Sequence, residues 1–191
     1  MNGRDCPHAI LTPRPRAQNA SMSYAVTRYD FRDKPRDYAR LRDELASLLA
    51  GETDLIANAA NTAALIFAAL PDVNWAGFYF LKHGELVVGP FQGKPACVRI
   101  ALGRGVCGTA AAQRRTLLVP DVHQFPGHIA CDAASRSEIV VPLIAAEGLL
   151  GVLDIDSPLP GRFDAADARG LESLASQFMA DAGQAATRAA L

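Results

Sequence analysis

The chain has 191 residues, half of them hydrophobic and a fifth charged, with a formal net charge of -1. That length buries a full core without disulfide or metal staples, so one domain of ordinary size is the expectation. The near-neutral balance excludes the basic surface of a nucleic-acid binder and the charge block of an acidic tail, and no apolar run reaches the ~18 residues of a membrane span, which leaves a small-molecule enzyme or a ligand-binding domain.

Residues 1–23 carry Pro7, Pro13 and Pro15 among scattered arginines and show no periodicity, the pattern of a flexible N-terminal arm. Arg4, Asp5, Arg14 and Arg16 break up any apolar signal segment, which points to a cytoplasmic protein. Met22 opens the more regular sequence and is an alternative start to Met1. In a reducing compartment the four cysteines read as buried hydrophobes, metal ligands or reactive thiols rather than as a disulfide framework. Cys6 falls in the arm and is assigned to no site. Residues 24–191 are expected to form a single domain.

Leu41, Leu45, Leu48 and Leu49 recur at helical spacing over residues 36–49, and Leu55, Ala59, Leu65 and Ile66 do so over residues 54–70. These predict two helices joined at Gly51, the second ended by Pro71-Asp72. Residues 75–81 and 85–88 read as strands around the turn His83-Gly84. A further strand is predicted over 96–101. The glycine-punctuated Gly103-Arg104-Gly105-Val106-Cys107-Gly108-Thr109 then leads into a short alanine-rich helix ending near Arg115, with Cys107 in its first turn. Residues 117–119 form a brief strand, and 120–135 have no clear period, a length that marks functional loops. Residues 137–144 and 149–156 predict a hairpin, and 164–186 a closing helix. The order implies an α+β fold: a central antiparallel sheet with the long N- and C-terminal helices on one face and a ligand pocket under a loop lid, residues 120–136, on the other.

Side chains alternate faces along a strand, so Asp154 and Asp156 point one way while Leu153 and Ile155 point the other. A three-residue loop, Ala146-Glu147-Gly148 with Gly148 left-handed, sets position 138 opposite 156 and 140 opposite 154. Glu138, Asp154 and Asp156 then share a face; a two-residue loop would turn Glu138 away. Three such carboxyls raise one another's pKa, which suits a proton donor near neutrality, or they grip a substrate ammonium. The competing reading leaves the two aspartates as water-exposed acids at a strand end before Pro158 and Pro160.

Cys107 at a helix N-terminus is placed to favour a thiolate, or else it is a small buried hydrophobe. Cys131, in the long loop beside Asp132 and Arg136, reads as a nucleophile. Cys97 precedes a strand and can approach either thiol. The absence of Cys-x-x-Cys weakens thioredoxin-like and zinc-ribbon readings, and a zinc set of His123, His128 and Cys131 with Cys97 or Cys107 lacks short ligand spacings, so no metal is expected. The Gly103 segment lacks the Gly-Lys-Ser/Thr of a phosphate loop. Trp75 and Tyr79, four apart on one strand face, form an aromatic pocket wall or ordinary core packing.

Six segments carry a family likeness: Asn74-Trp75-Ala76-Gly77-Phe78-Tyr79, Gly89-Pro90-Phe91-Gln92-Gly93-Lys94-Pro95-Ala96-Cys97, the Gly103 to Thr109 run, His128-Ile129-Ala130-Cys131-Asp132, Ser135-Arg136-Ser137-Glu138-Ile139-Val140-Val141-Pro142 and Gly151-Val152-Leu153-Asp154-Ile155-Asp156-Ser157. Through them residues 38–178 resemble the free methionine-R-sulfoxide reductases, single-domain members of the GAF fold. The resemblance implies reduction of free methionine-R-sulfoxide with Cys131 at the nucleophile position, Cys97 and Cys107 at the other two redox cysteines, and Glu138, Asp154 and Asp156 as active-site acids. It implies no bound cofactor or metal, thioredoxin as the external dithiol, and a homodimer. Trp75 and Tyr79 join the acids in substrate binding. Cys107 is favoured to resolve the oxidised nucleophile, with Cys97 as the alternative. The competing function is a small-ligand-sensing GAF module without catalysis.

Overall fold

The computed structural model describes residues 26–127 and 132–189, with side chains described through residue 180. The predicted arm, His128 and Cys131 lie outside the described residues. Helices α1 (Lys34–Leu49) and α2 (Leu55–Ala69) precede strands β1 (Trp75–Lys82), β2 (Glu85–Gly93) and β3 (Arg99–Ala101). Helix α3 (Gly105–Gln113), β4 (Leu117–Val119), a 3-10 turn (Val122–Gln124), β5 (Ser137–Ala145), β6 (Gly148–Ser157) and α4 (Ala165–Ala189) follow. The strands form one sheet in the order β3-β2-β1-β6-β5-β4, every neighbouring pair antiparallel.

The helices begin where acidic caps satisfy their free N–H groups. The Asp33 carboxylate accepts from the Arg36 N–H at 3.4 Å and Asp54 accepts from Ala57 at 2.8 Å. At the start of α4, Asp164 accepts from Ala166 at 2.7 Å and Asp167 at 3.1 Å. Each such cap stabilises its helix by about 1 kcal/mol.

Period-two alternation sorts the strands into two cores. Ala76, Phe78, Phe80, Ile139, Val141, Leu143, Leu153 and Ile155 face α1, α2 and α4, where they meet Leu41, Leu45, Leu49, Ile66, Leu171 and Phe178. The rings of Phe78 and Phe178 approach to 4.7 Å. The buried Asp167 ties α4 to α1, accepting from Tyr38 Oη at 2.9 Å and pairing with Lys34 at 2.6 Å. On the opposite face Trp75, Tyr79, Val140 and Val152 pack with Leu86, Ile100 and α3. The long helices therefore share one face, as predicted, while α3 covers part of the other.

Three elements differ from expectation. The strand predicted over 96–101 begins only at Arg99, while β2 extends to Gly93, because its far end pairs with the start of β1, Trp75 opposite Gly93. The segment after Pro120 contains the 3-10 turn, capped by the Asp121 carboxylate accepting from the His123 N–H at 3.1 Å. The last hairpin closes through the two residues Ala146 and Glu147, since Ala145 pairs with Gly148. A register shift beyond Leu143/Ile144 inserts one residue, and the ladder regains the pairs Val140 with Asp154 and Glu138 with Asp156. The expected pairing holds, achieved by a bulge rather than a three-residue loop; Gly148 does take a positive φ of 131°.

Candidate active site

The β1-β6-β5 ladder builds the floor of the site. Trp75 pairs with Asp156, Gly77 with Asp154 and Tyr79 with Val152, while Glu138 lies across from Asp156. One sheet face thus presents Trp75 and Tyr79 beside a block of three carboxyls, Glu138, Asp154 and Asp156. Glu138 and Asp154 are each 6% exposed, and Asp156 is partly exposed. Glu138 and Asp154 are therefore not water-exposed strand-end acids. Gly77 is required between the aromatics, because a Cβ there would stand 2.3 Å from Phe91 Cβ. Phe91 stacks on Trp75 at 5.3 Å, and Trp75 stacks on Tyr79 at 5.9 Å. The two aromatics are core residues and pocket wall at once.

Helix α3 closes the site from above. A Cβ on Gly108 would meet the Ala101 carbonyl oxygen at 2.3 Å, so glycine alone lets the first turn of α3 settle against β3. That contact carries Cys107 to the acids, where its thiol donates to Glu138 Oε1 at 3.8 Å. The pocket between α3 and the sheet encloses about 540 Å³ including its open mouth, with Ile100 and Val106 adding apolar wall.

Burial dominates the electrostatics. Desolvation, then the charges of Asp154 and Asp156, pushes Glu138 well above the ordinary carboxylate range. Desolvation likewise raises Asp154 to about 7, against hydrogen bonds from Cys107 and Glu138 that favour its ionised form. Asp156 is raised by desolvation and by the charge of Asp154. The cluster therefore retains protons near neutrality and can donate one. Among the described residues Asp154 Oδ1 has no hydrogen-bond partner, leaving a buried acceptor in the pocket for an incoming donor.

The stretch of chain that holds these residues is similar to known proteins. The GAF domain family matches residues 56–180. Free methionine-R-sulfoxide reductase from Escherichia coli strain K12 is 55% identical over 146 residues, 76% of this chain and 88% of that protein. The chain belongs to the free methionine-R-sulfoxide reductases. A crystallised member from Neisseria meningitidis, solved in complex with its substrate, is 43% identical with a TM-score of 0.81, covering 86% of this chain and 98% of that one. The reduced form of the Staphylococcus aureus protein is 50% identical with a TM-score of 0.74, covering 76% and 94%. Within this reductase family the antiparallel GAF sheet and its four helices are the shared fold.

The cysteines divide. Cys107 is free and buried, and its thiol is pushed well above its ordinary value by desolvation and then by the charges of Asp154 and Glu138. Of the two readings the sequence leaves open, the small buried thiol fits and the thiolate does not, because burial among acids opposes the helix dipole. Cys97 is half-buried and disulfide-bonded. Cys131 and its place relative to the acids lie outside the described residues. Of the zinc set weighed from sequence, His123 is exposed and away from the pocket.

Sequence reasoning made residues 120–136 a lid over the pocket but assigned no role to the individual side chains at its mouth. Asp132 accepts from Lys94 Nζ at 3.1 Å, from Asn74 Nδ2 at 3.3 Å and from the Ala134 N–H at 2.9 Å, and Asn74 also donates to Ser135 Oγ at 3.0 Å. The Ala134 N–H first, then Lys94, holds the Asp132 carboxyl below its usual range. The indole N–H of Trp75 donates to the Lys94 carbonyl at 3.1 Å. These contacts bind the segment before β5 to both ends of the β1–β2 hairpin. The Asn74 and Lys94 side chains reach partners 38 to 61 residues away, so no local pattern announces them.

Proposed function

We propose that this protein reduces free L-methionine (R)-S-oxide to L-methionine by cysteine chemistry. The observation that carries the reading is the carboxyl trio of buried Glu138 and Asp154 with partly exposed Asp156 beside Trp75 and Tyr79, with an Asp154 oxygen in the pocket unpartnered among the described residues. The Neisseria meningitidis relative, solved with its substrate, supports it.

In this reading the Cys131 thiolate attacks the sulfoxide sulfur while a neutral carboxyl of the cluster protonates the departing oxygen. The oxygen then passes to the Cys131 sulfur as the methionine sulfur–oxygen bond and the transient sulfur–sulfur bond break, so methionine leaves and Cys131 becomes a sulfenic acid. A second thiol displaces that oxygen as water, forming a disulfide. An external dithiol, thioredoxin, then reduces the disulfide and is itself oxidised. Burial makes Cys107 a poor nucleophile, so the resolving role passes to Cys97, the cysteine found in a disulfide, and Cys131 is its proposed partner.

An ionised acid of the cluster meets the substrate ammonium, and the Trp75 and Tyr79 rings wall the thioether. Backbone N–H groups of residues 120–136 meet the substrate carboxylate, which is the feature that selects a free amino acid over a peptide residue. The reading includes no bound cofactor, a homodimeric state and a cytoplasmic location. Among the described residues no helix is long and apolar enough to cross a membrane.

The test is an assay of both epimers of free and peptide-bound methionine sulfoxide with a dithiol reductant. Turnover of the free R epimer alone is expected. Binding of methionine sulfoxide without turnover of any form would favour a sensing module and reject the reductase.

A further inference from the structure

We propose that Cys107, Glu138 and Asp154 also form a binding site for a thiophilic divalent cation of the zinc and cadmium class. The site is defined by its donor atoms and does not depend on the reaction assigned to the pocket.

One thiol sulfur and one oxygen from each carboxyl lie within 4.8 Å of one another, and the Cys107 Sγ to Glu138 Oε1 distance is 3.8 Å. A tetrahedral ion with metal–sulfur near 2.3 Å and metal–oxygen near 2.0 Å holds such donors roughly 3.5 Å apart. Against that spacing the Cys107–Glu138 pair at 3.8 Å has to close by a few tenths of an ångström, and the widest pair of the trio, within 4.8 Å, by up to roughly 1.3 Å. The three donors come from α3, β5 and β6, each fixed by the sheet ladder or by the close approach at Gly108.

A second observation points to a ligand rather than to a mere acidic cluster. Asp154 is 6% exposed, yet among the described residues its Oδ1 has no hydrogen-bond partner. An orphan buried acceptor is costly, and a cation satisfies it directly. The cations at the pocket are not committed to the trio: Lys94 pairs with Asp132, and Arg104 is exposed at the pocket mouth. Asp156 lines the same space and leaves a fourth position for itself or for water. Soft sulfur with hard oxygen ligands fits zinc or cadmium and disfavours magnesium or calcium. On binding, the Cys107 S–H bond breaks, a sulfur–metal bond forms and the proton passes to solvent, with no change of oxidation state.

The experiment titrates cadmium into the full-length disulfide form carrying Cys6→Ser, following thiolate-to-cadmium charge-transfer absorbance. The expected result is a saturable band that is lost in Cys107→Ala, with affinity at least tenfold weaker in Asp154→Asn. A band that survives Cys107→Ala, or no band in the parent protein, overturns the site. Should Cys107→Ala fail to fold, cadmium NMR of the parent reports the ligands. A shift of mixed sulfur and oxygen ligation supports the site, and one of oxygen ligation alone overturns it.

Discussion

Glu138 stands directly across the β5–β6 ladder from Asp156, two buried or half-buried acids on one sheet face, because a single-residue bulge past Leu143 corrects the register set by the two-residue turn. The catalytic proposal needs that pairing, since a slip of one residue would send Glu138 into the helix-packed core.

Amide substitution of the acids separates their roles. Glu138→Gln, Asp154→Asn and Asp156→Asn are each expected to slow sulfoxide reduction; the one that delivers the proton does so by ~100-fold or more. Asp154 titrates at about 7, so a step that uses its neutral form slows as pH rises through that value. Single-turnover rates from pH 5 to 9 check this, and the falling limb attributable to Asp154 disappears in Asp154→Asn.

The same group ties stability to pH. Its folded pKa of about 7 exceeds the ordinary 3.8, so between those values the native state binds the extra proton and stability declines as pH rises. Thermal melting is expected to fall across that window, and to fall less steeply in Asp154→Asn, which cannot ionise. Parallel melting curves for the two proteins would exclude the effect.

Gly108→Ala forces a Cβ into the Ala101 carbonyl at 2.3 Å, a backbone contact that cannot rotate away. A loss of about 1 to 3 kcal/mol is expected from overpacking, with α3 pushed off the sheet. Denaturant unfolding measures the first, and faster labelling of the Cys107 thiol by a small alkylating reagent measures the second.

Asp132 gathers three donors at the pocket mouth, and Lys94 supplies the charged one from an exposed position. Lys94→Met is expected to leave Tm nearly unchanged, as exposed pairs contribute little. Asp132→Ala releases Asn74, Lys94 and the Ala134 N–H together, and is expected to raise KM several-fold while kcat changes less. Steady-state kinetics with the free sulfoxide distinguishes the two.

Much of this arrangement was legible from residue order. The alternation Leu153, Asp154, Ile155, Asp156 placed apolar groups against the helices and acids in the pocket, because strand geometry leaves no other choice. The helix periods at Leu41, Leu45 and Leu49 marked the buried stripe of α1. The bulge that keeps the register was not legible, since it compensates a turn of different length and leaves the final pairs unchanged. The sequence leaves the state of Cys107 open: its helix position argues for a thiolate and its isolation for a small buried hydrophobe, and burial beside Glu138 and Asp154 favours the second. The Lys94–Asp132–Asn74 contacts join distant segments and have no signature in one dimension.

A single turnover in the absence of reductant tests the central claim most directly. Reduced protein mixed with excess free methionine-R-sulfoxide is followed by methionine release and by mass mapping of the thiols. The account predicts about one methionine per chain, loss of the Cys97 and Cys131 thiols together, and a Cys107 that remains free. Methionine release with Cys97 and Cys131 both still reduced, or no release at all, would contradict it.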